Sequence, residues 1–129
     1  SFPTRRSSDL IMVNADASLL VQVFVNLIDN AVTHTGENTE IVIDCRKEDG
    51  RLMFSVSDNG GGIKGDADRI FDDFYSITAN QDARRSHGLG LSICKAIIQA
   101  HGGEIMAYNN DNGGATFEFT IVNEGGPHE

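Results

Sequence analysis

The most informative segment of the sequence is DNGGGI, from Asp58 to Ile63, which directly follows an alternating pattern of apolar residues. Leu52, Phe54 and Val56 alternate with more polar residues, which predicts a strand with one buried face. Three consecutive glycines after a strand allow the backbone to approach a flat ligand closely. Asp58 supplies a carboxylate acceptor suited to an exocyclic amino group such as that of adenine. A flexible turn is the alternative, because Asn-Gly pairs are common turn formers.

A partner strand precedes this one. Ile41, Ile43 and Cys45 alternate as one face of a strand, and EDG at Glu48–Gly50 is a turn sequence. The two strands are therefore expected to form an antiparallel hairpin.

A second hairpin closes the chain. Ile105–Tyr108 and Thr116–Val122 read as strands around the turn sequence NNDNGG, with Phe117, Phe119 and Ile121 facing inward.

The first helix is predicted from Asp16, a good N-cap residue, to about Thr35. Its apolar residues recur at intervals of three and four and define one buried face: Leu20, Val23, Phe24, Leu27, Ile28 and Ala31. Another stripe repeats every four residues and is polar: Gln22, Asn26, Asn30 and His34. Gly36 ends the helix.

A second glycine cluster, HGLGLSIC at His87–Cys94, opens the second amphipathic helix. Gly88 and Gly90 fall at its start, where unpaired amides and the positive end of the helix dipole favour a phosphate. The cluster lacks the Lys-Ser/Thr of a P-loop and the third glycine of a dinucleotide fingerprint. Gly102 and Gly103 end this helix. Between the two glycine clusters we expect a short helix over Asp66–Phe71 and a long mobile loop over residues 72–87.

Helices and strands without a regular βαβ alternation predict an α/β two-layer sandwich, with a mixed, mostly antiparallel sheet and the helices on one face. The catalytic or binding domain is expected to span residues 11–123. Residues 1–10 read as a disordered or non-native lead-in and residues 124–129 as a tail.

Composition limits the partners. The chain has 129 residues and a formal net charge of −9, which argues against nucleic acid or an anionic membrane surface as the main partner. No apolar run approaches the length of a membrane span. Cys45 and Cys94 lie in separate apolar stretches and read as reduced core cysteines of a cytosolic protein.

Asn26 and Asn30 lie one helical turn apart, so their side-chain oxygens can reach one point. Amide oxygens suit Mg²⁺ that bridges phosphates, with waters completing its octahedron. The alternative is a helix face whose amides bond to neighbouring loops.

Together these motifs resemble the ATP-binding superfamily of histidine kinases, gyrase, Hsp90 and MutL. NLIDNAVTHT is similar to its asparagine box and DNGGGI to its first glycine box. FDDFY at Phe71–Tyr75 resembles the phenylalanine box, HGLGLSIC the second glycine box, and GGATFEFT at Gly113–Thr120 the closing strand. Their order and spacing agree over residues 12–122. ICKAIIQAHGGEI followed by GGATFEFT looks most like potassium-responsive sensor kinases of the KdpD type.

The resemblance implies a Bergerat-type ATP-binding fold and gives each motif a role. Asn26 and Asn30 would be catalytic and coordinate Mg²⁺ at the triphosphate, and His34 would lie against the adenine or ribose. Asp58 would accept a hydrogen bond from the adenine amino group. Residues 72–87 would be the ATP lid.

The remaining nucleotide-binding residues implied by the resemblance fall into three groups. Gly60, Gly62 and Ile63 would shape the adenine pocket. Gly88 and Gly90 would contact phosphates, and Arg84 and Arg85 sit where a lid cation would touch the γ-phosphate. The matching motifs also contribute Phe71, Leu89, Leu91 and Thr116.

Asn26 favours a kinase over an ATPase. The hydrolytic relatives carry a water-activating glutamate at this place, four residues before the key asparagine, and an amide cannot act as a base. The resemblance therefore implies a sensor histidine kinase that donates the γ-phosphoryl group of ATP to a histidine on dimerisation helices, with a response regulator as an indirect partner. None of the four histidines has the context of that acceptor.

Four positions depart from the family's pattern and put affinity in doubt rather than the fold: Thr33, His34, Asp73 and the pair Ser86-His87. A clamp-type ATPase and a non-enzymatic nucleotide sensor are the alternatives.

Overall fold

The computed structural model describes residues 15–34, 38–72 and 85–122. Helix α1 spans Ala17–His34 and helix α2 spans Arg85–Ala100. Strands β1 (Ile41–Glu48) and β2 (Arg51–Asp58) precede α2, and strands β3 (Ile105–Asn109) and β4 (Ala115–Val122) follow it. Both predicted helices and all four predicted strands are confirmed.

The four strands form one antiparallel sheet in the order β1-β2-β4-β3. Phe54 of β2 pairs with Cys45 of β1 on one side and Phe119 of β4 on the other. The helices pack against each other and cover β2, β4 and β3 on one face. This is the α/β sandwich expected from the sequence, and it places the end of β2 beside the start of β4.

The core joins α1 to the sheet through three phenylalanines. The ring centroid of Phe24 lies 5.5 Å from that of Phe54 and 5.3 Å from that of Phe119, both in edge-to-face geometry. Phe54 and Phe119 are stacked with centroids 5.1 Å apart. The inward prediction for β4 is confirmed, since Phe117, Phe119 and Ile121 are all buried.

The start of α1 and the end of α2 lie beside each other, and each is closed by specific contacts. The Oδ1 atom of Asp16 accepts from the backbone N–H groups of Ser18 at 3.0 Å and Leu19 at 3.2 Å, which confirms the N-cap. Helix α2 ends at Ala100, and Gly102, two residues later, has a φ of 77°, in the left-handed region. His101 connects the two ends, because its Nε2 accepts from the N–H of Asp16 at 3.1 Å and its Nδ1 bonds to the carbonyl of Ile97 at 2.8 Å.

Three expectations about the fold were wrong. Cys45 is exposed, although it was expected to be a core cysteine, and Ile43 on the same face of the strand is 52% exposed. The reason is that β1 is an edge strand lying beyond the cover of the helices. Cys94 is buried as expected.

The segment Asp66–Phe71 forms successive turns rather than a short helix. The N–H of Arg69 donates to the carbonyl of Asp66, and that of Asp72 to the carbonyl of Arg69. The Asp66 carboxylate accepts from the N–H of Asp68 at 2.9 Å, a local bond that competes with helix formation.

Helix α2 begins at Arg85 and so takes in the last residues of the loop expected over 72–87. Gly88 and Gly90 are poor helix formers, which is why the sequence suggested a later start. Burial of Leu91, Cys94 and Ile98 against the rest of the core outweighs that local preference. The expected loop otherwise lies largely outside the described residues. In the part of the chain that is described, no helix has the length and apolar character needed to cross a membrane.

Candidate functional site

Asp58 is a buried carboxylate at the end of β2, 8% exposed. Its Oδ1 atom accepts from the backbone N–H of Gly60 at 3.0 Å and from that of Ala115 at 3.3 Å. Within residues 15–34, 38–72 and 85–122, no hydrogen bond reaches Oδ2. Because a buried carboxylate oxygen needs a donor, Oδ2 is available to a ligand's amino group.

The glycine loop that follows, residues 60–63, adopts backbone dihedral angles that are unfavourable for residues with a side chain. Gly61 has a φ of 108° and Gly62 a φ of 75°, both in the region that favours glycine. A Cβ atom at Gly62 would also lie 2.7 Å from Oδ1 of Asn109. The sequence singled out Gly60 and Gly62, and the structure adds Gly61, whose N–H donates to the carbonyl of Gly113 at 2.9 Å.

The start of β4 forms the other wall beside Asp58. Thr116 is buried, and its hydroxyl lies 2.9 Å from the hydroxyl of Ser57. A Cβ atom at Gly114 would overlap the carbonyl oxygen and Oδ1 of Asp58, so only glycine fits there. The structure thus brings the predicted residues Asp58 and Thr116 together.

Sequence reasoning missed Asn109 and Asn110, which it treated only as part of a turn. Nδ2 of Asn110 donates to the carbonyl of Asp58 and to Oγ1 of Thr116, each at 3.0 Å. Oδ1 of Asn109 accepts from the N–H of Ile63 at 2.6 Å. The available signal was the pair of asparagines before Gly113-Gly114, since asparagine side chains commonly bond to backbone groups at turns.

The polar stripe of α1 meets α2 at Gly90. Nδ2 of Asn26 donates to the carbonyl of Gly90 at 3.5 Å, and a Cβ atom at Gly90 would lie 3.6 Å from Cγ of Asn26. Asn30, one turn later, is half-buried, and its side chain makes no hydrogen bond within the described ranges. Gln22 is exposed, and the backbone of His34 ends the helix while its side chain lies outside the description.

The side chain of Asn26 also faces Cys94. Burial raises the pKa of the Cys94 thiol to about 11, while a hydrogen bond with Asn26 lowers it by a smaller amount. The thiol remains protonated at neutral pH and packs as a small apolar group.

The two glycines of α2 differ in position. The first four N–H groups of an α-helix have no partner within the helix, and Gly88 is the fourth residue of α2. Gly90 lies in the second turn, where its N–H is directed to the carbonyl four residues earlier. The expectation of an unpaired amide therefore fits Gly88 but not Gly90.

Other residues of the predicted site support it from the core or lie outside the description. Phe71 is buried, with its ring centroid 6.1 Å from that of Phe117, and Leu91 is also buried. Ile63 packs against the same cluster. Arg84 lies outside the described residues. Only the backbone of Arg85 and Leu89 is described, as part of α2.

The described side chains contain no group of three or more histidine, cysteine, aspartate or glutamate residues that could hold a metal ion. A divalent ion at the amides of Asn26 and Asn30 would also take oxygens from a phosphate and from water. Mg²⁺ is usually bound in this way, through few protein ligands.

Comparison with known proteins agrees with this geometry. Residues 15–124 match the family described as histidine kinase-, DNA gyrase B-, and HSP90-like ATPase. The sensor protein KdpD of Clostridium acetobutylicum is 43% identical over 118 residues, which are 90% of this chain and 13% of that protein. The adaptive-response sensory kinase SasA of a Nostoc species is 40% identical over 115 residues, 88% of this chain and 28% of that protein.

Among solved structures, the chain resembles the catalytic domain of the histidine kinase ThkA. The TM-score is 0.73 at 37% identity, and the match covers 86% of this chain and 70% of that one. ThkA in complex with the response regulator protein TrrA matches with a TM-score of 0.68 at 34% identity, over 86% of this chain and 30% of that one. The chain spans less than a third of the curated relatives named above.

Proposed function

Because the chain belongs to the family of histidine kinase-, DNA gyrase B-, and HSP90-like ATPases, we propose that it is the ATP-binding catalytic domain of a sensor histidine kinase. In this role it donates the γ-phosphoryl group of ATP to a histidine on dimerisation helices that lie outside this chain. The observation that carries the proposal is Asp58. It is buried at the end of β2, with Oδ1 held by two backbone N–H groups and Oδ2 available for the adenine amino group.

The residue at position 26 supports transfer rather than hydrolysis. An amide has no lone pair basic enough to take a proton from water, whereas phosphoryl transfer depends mainly on positioning and on stabilisation of charge. The Asn26 side chain lies against Gly90 and the buried Cys94, where no carboxylate takes part in the described contacts. ATP bound here should therefore persist until an acceptor imidazole arrives.

Mg²⁺ fits the amides of α1 and belongs to this proposal. Asn30 has an unengaged side-chain amide within the described ranges, and Nδ2 of Asn26 is the atom that bonds to Gly90, which leaves its Oδ1. Mg²⁺ bound there would neutralise charge on the phosphate oxygens. His34, Arg84, Arg85, Gly88 and Leu89 remain proposed nucleotide contacts.

The partners follow from the relatives. ThkA is known in complex with the response regulator TrrA, which supports a response regulator as the downstream partner here. A cytoplasmic location is part of the same proposal. Potassium sensing is supported only by the similarity to KdpD, and the similarity to SasA is nearly as high.

The test supplies the acceptor separately. The chain is mixed with Mg·ATP labelled at the γ-phosphate and with the cognate dimerisation helices of the same kinase. Labelled phosphohistidine is expected on the helices, together with little phosphate release in their absence. Binding of ATP without labelled histidine, or steady phosphate release by the chain alone, would contradict the proposal.

A further inference from the structure

Residues 109–114, which are the last residue of β3 and the turn that leads to β4, hold the glycine loop as well as connecting two strands. The Asn109 side chain contacts both backbone groups of Ile63, since Oδ1 accepts from its N–H at 2.6 Å and Nδ2 donates to its carbonyl at 3.5 Å. The carbonyl of Gly113 accepts from the N–H of Gly61 at 2.9 Å. The loop from Gly60 to Ile63 is therefore fastened to this turn at two points.

The neighbouring Asn110 has a different task. Its Oδ1 accepts from the N–H groups of Asn112 at 2.9 Å and Gly114 at 3.1 Å, which shapes the turn itself. Its Nδ2 donates to the carbonyl of Asp58 and the hydroxyl of Thr116. Because these four hydrogen bonds join the turn to the end of β2 and the start of β4, replacing Asn110 would disturb the fold and the site together.

Asn109 differs because it is exposed and bonds only to the loop within the described ranges. Bonds made by exposed side chains contribute little to the free energy of unfolding, since water replaces them when they break. They can still matter for binding, because a loop that is already in place loses less entropy when a ligand arrives.

We propose that Asn109 is a positioning residue for recognition of the base. It fixes the backbone of Ile63, and with it the glycine loop, in the position that lets the adenine reach the carboxylate of Asp58. This inference rests on the proposed function. Gly62 is part of the same arrangement, because any side chain there would displace the Asn109 amide. The chain therefore prepares its adenine pocket before nucleotide arrives, through an asparagine that lies outside the sequence motifs.

The experiment compares affinities for Mg·ATP and Mg·GTP by isothermal titration calorimetry, together with the midpoint of thermal unfolding without nucleotide. The variants of the 129-residue chain are Asn109→Ala, Asn109→Asp, and Asn112→Ala as a matched control in the same turn. Asn109→Ala is expected to weaken ATP binding about tenfold and to reduce the preference for ATP over GTP, with an unfolding midpoint close to that of Asn112→Ala. Asn109→Asp keeps the oxygen that accepts from Ile63 and should stay within about threefold of wild type.

The outcomes separate the inference from the function on which it rests. If wild type binds no nucleotide, the proposed function fails and this inference fails with it. If wild type binds ATP and Asn109→Ala binds it equally well, the inference alone is overturned. It is also overturned if Asn109→Ala lowers the unfolding midpoint and weakens ATP and GTP binding to the same degree, which is the signature of a structural role.

Discussion

The side-chain nitrogen of Asn26 lies 3.5 Å from the carbonyl oxygen of Gly90 and joins the polar stripe of α1 to the second turn of α2. The two residues come from motifs 64 positions apart, and each was assigned to the phosphate end of the site for a separate reason. Their contact means that a change at Gly90 acts on Asn26, and so on the proposed metal site, without any change in the adenine pocket.

Replacing Gly90 by alanine separates stability from binding. A Cβ atom there meets Asn26 at 3.6 Å, an ordinary contact distance, and alanine is the better helix former. The free energy of unfolding should rise by roughly 0.5–1 kcal/mol, while Mg·ATP binding weakens because the new methyl group occupies the space in which the phosphate is proposed to contact Gly90. Urea unfolding and calorimetric titration measure the two effects. The exposed Ala96, replaced by glycine, is the reverse control: stability should fall and affinity should stay unchanged. Unaltered affinity in Gly90→Ala would remove this glycine from the site.

Glycines 113 and 114 should respond very differently to alanine. At Gly114 a Cβ atom would overlap Asp58, so the variant should lose about 3 kcal/mol or more of unfolding free energy, or fail to fold. At Gly113 the space is open and only the φ of 84° is unfavourable, so a loss of about 1 kcal/mol is expected. If chemical unfolding gave equal losses of unfolding free energy for the two variants, β4 would not approach Asp58 as closely as the structure shows.

The two thiols should react at very different rates. Cys45 is exposed, whereas burial raises the pKa of Cys94 from 9.0 to about 11. In the folded chain a thiol reagent at pH 8 should modify one cysteine quickly, with Cys94 at least roughly a hundredfold slower, and both should react in denaturant. Fast reaction of both thiols in the folded chain would contradict the burial of Cys94.

Because the folded state binds the Cys94 proton more tightly, this group stabilises the fold below pH 9 and loses that effect as the pH rises toward 11. The variant Cys94→Ala should therefore lose less unfolding free energy than wild type as the pH rises.

Asp16 should contribute to stability in a pH-dependent way. The hydrogen bond from the Ser18 hydroxyl, followed by that from the Leu19 N–H, lowers the pKa of this carboxyl below 3.8. The stabilisation is present above pH 3.8 and is lost as the pH falls through the lowered pKa. Asp16→Ala should lower the unfolding midpoint at pH 7 by roughly 4 °C, whereas Asp16→Asn keeps the cap and should lose less. Thermal melts from pH 2 to pH 7 should show a shallower acid decline in both variants than in wild type. An unchanged acid decline would mean that the carboxylate does not cap α1.

The sequence predicted those parts of the fold whose signal is local. The three-four spacing around Val23 and Leu27 and the alternation at Phe117 and Phe119 depend only on which face of an element is buried. The exposure of Ile43 could not be read in this way, because it depends on where the helices end relative to the edge of the sheet. The early start of α2 was missed because tertiary packing overrides the poor helix propensity of Gly88 and Gly90.

The sequence predicted those site residues whose own side chains suit a ligand. It did not predict the residues that only hold other site residues in place. Asp58 and the asparagines of α1 were chosen for what their side chains can accept or coordinate. Asn109 and Gly114 act on the site from a turn about fifty residues further along the chain, and no periodicity connects that turn to the glycine loop. Their roles follow from strand order, which brings the end of β2 beside the start of β4.

Recognition of the base depends on Oδ2 of Asp58, which accepts a hydrogen bond from adenine in the proposed function, and the variant Asp58→Asn removes this acceptor. The amide keeps an oxygen for the N–H groups of Gly60 and Ala115 and replaces the second oxygen by a donor that opposes the adenine amino group. Calorimetric titration with Mg·ATP should show an affinity at least about a hundredfold below wild type, a reduced preference for ATP over GTP, and an unfolding midpoint near that of wild type. Wild-type affinity for ATP in a folded Asp58→Asn chain would show that Oδ2 of Asp58 does not bind the adenine.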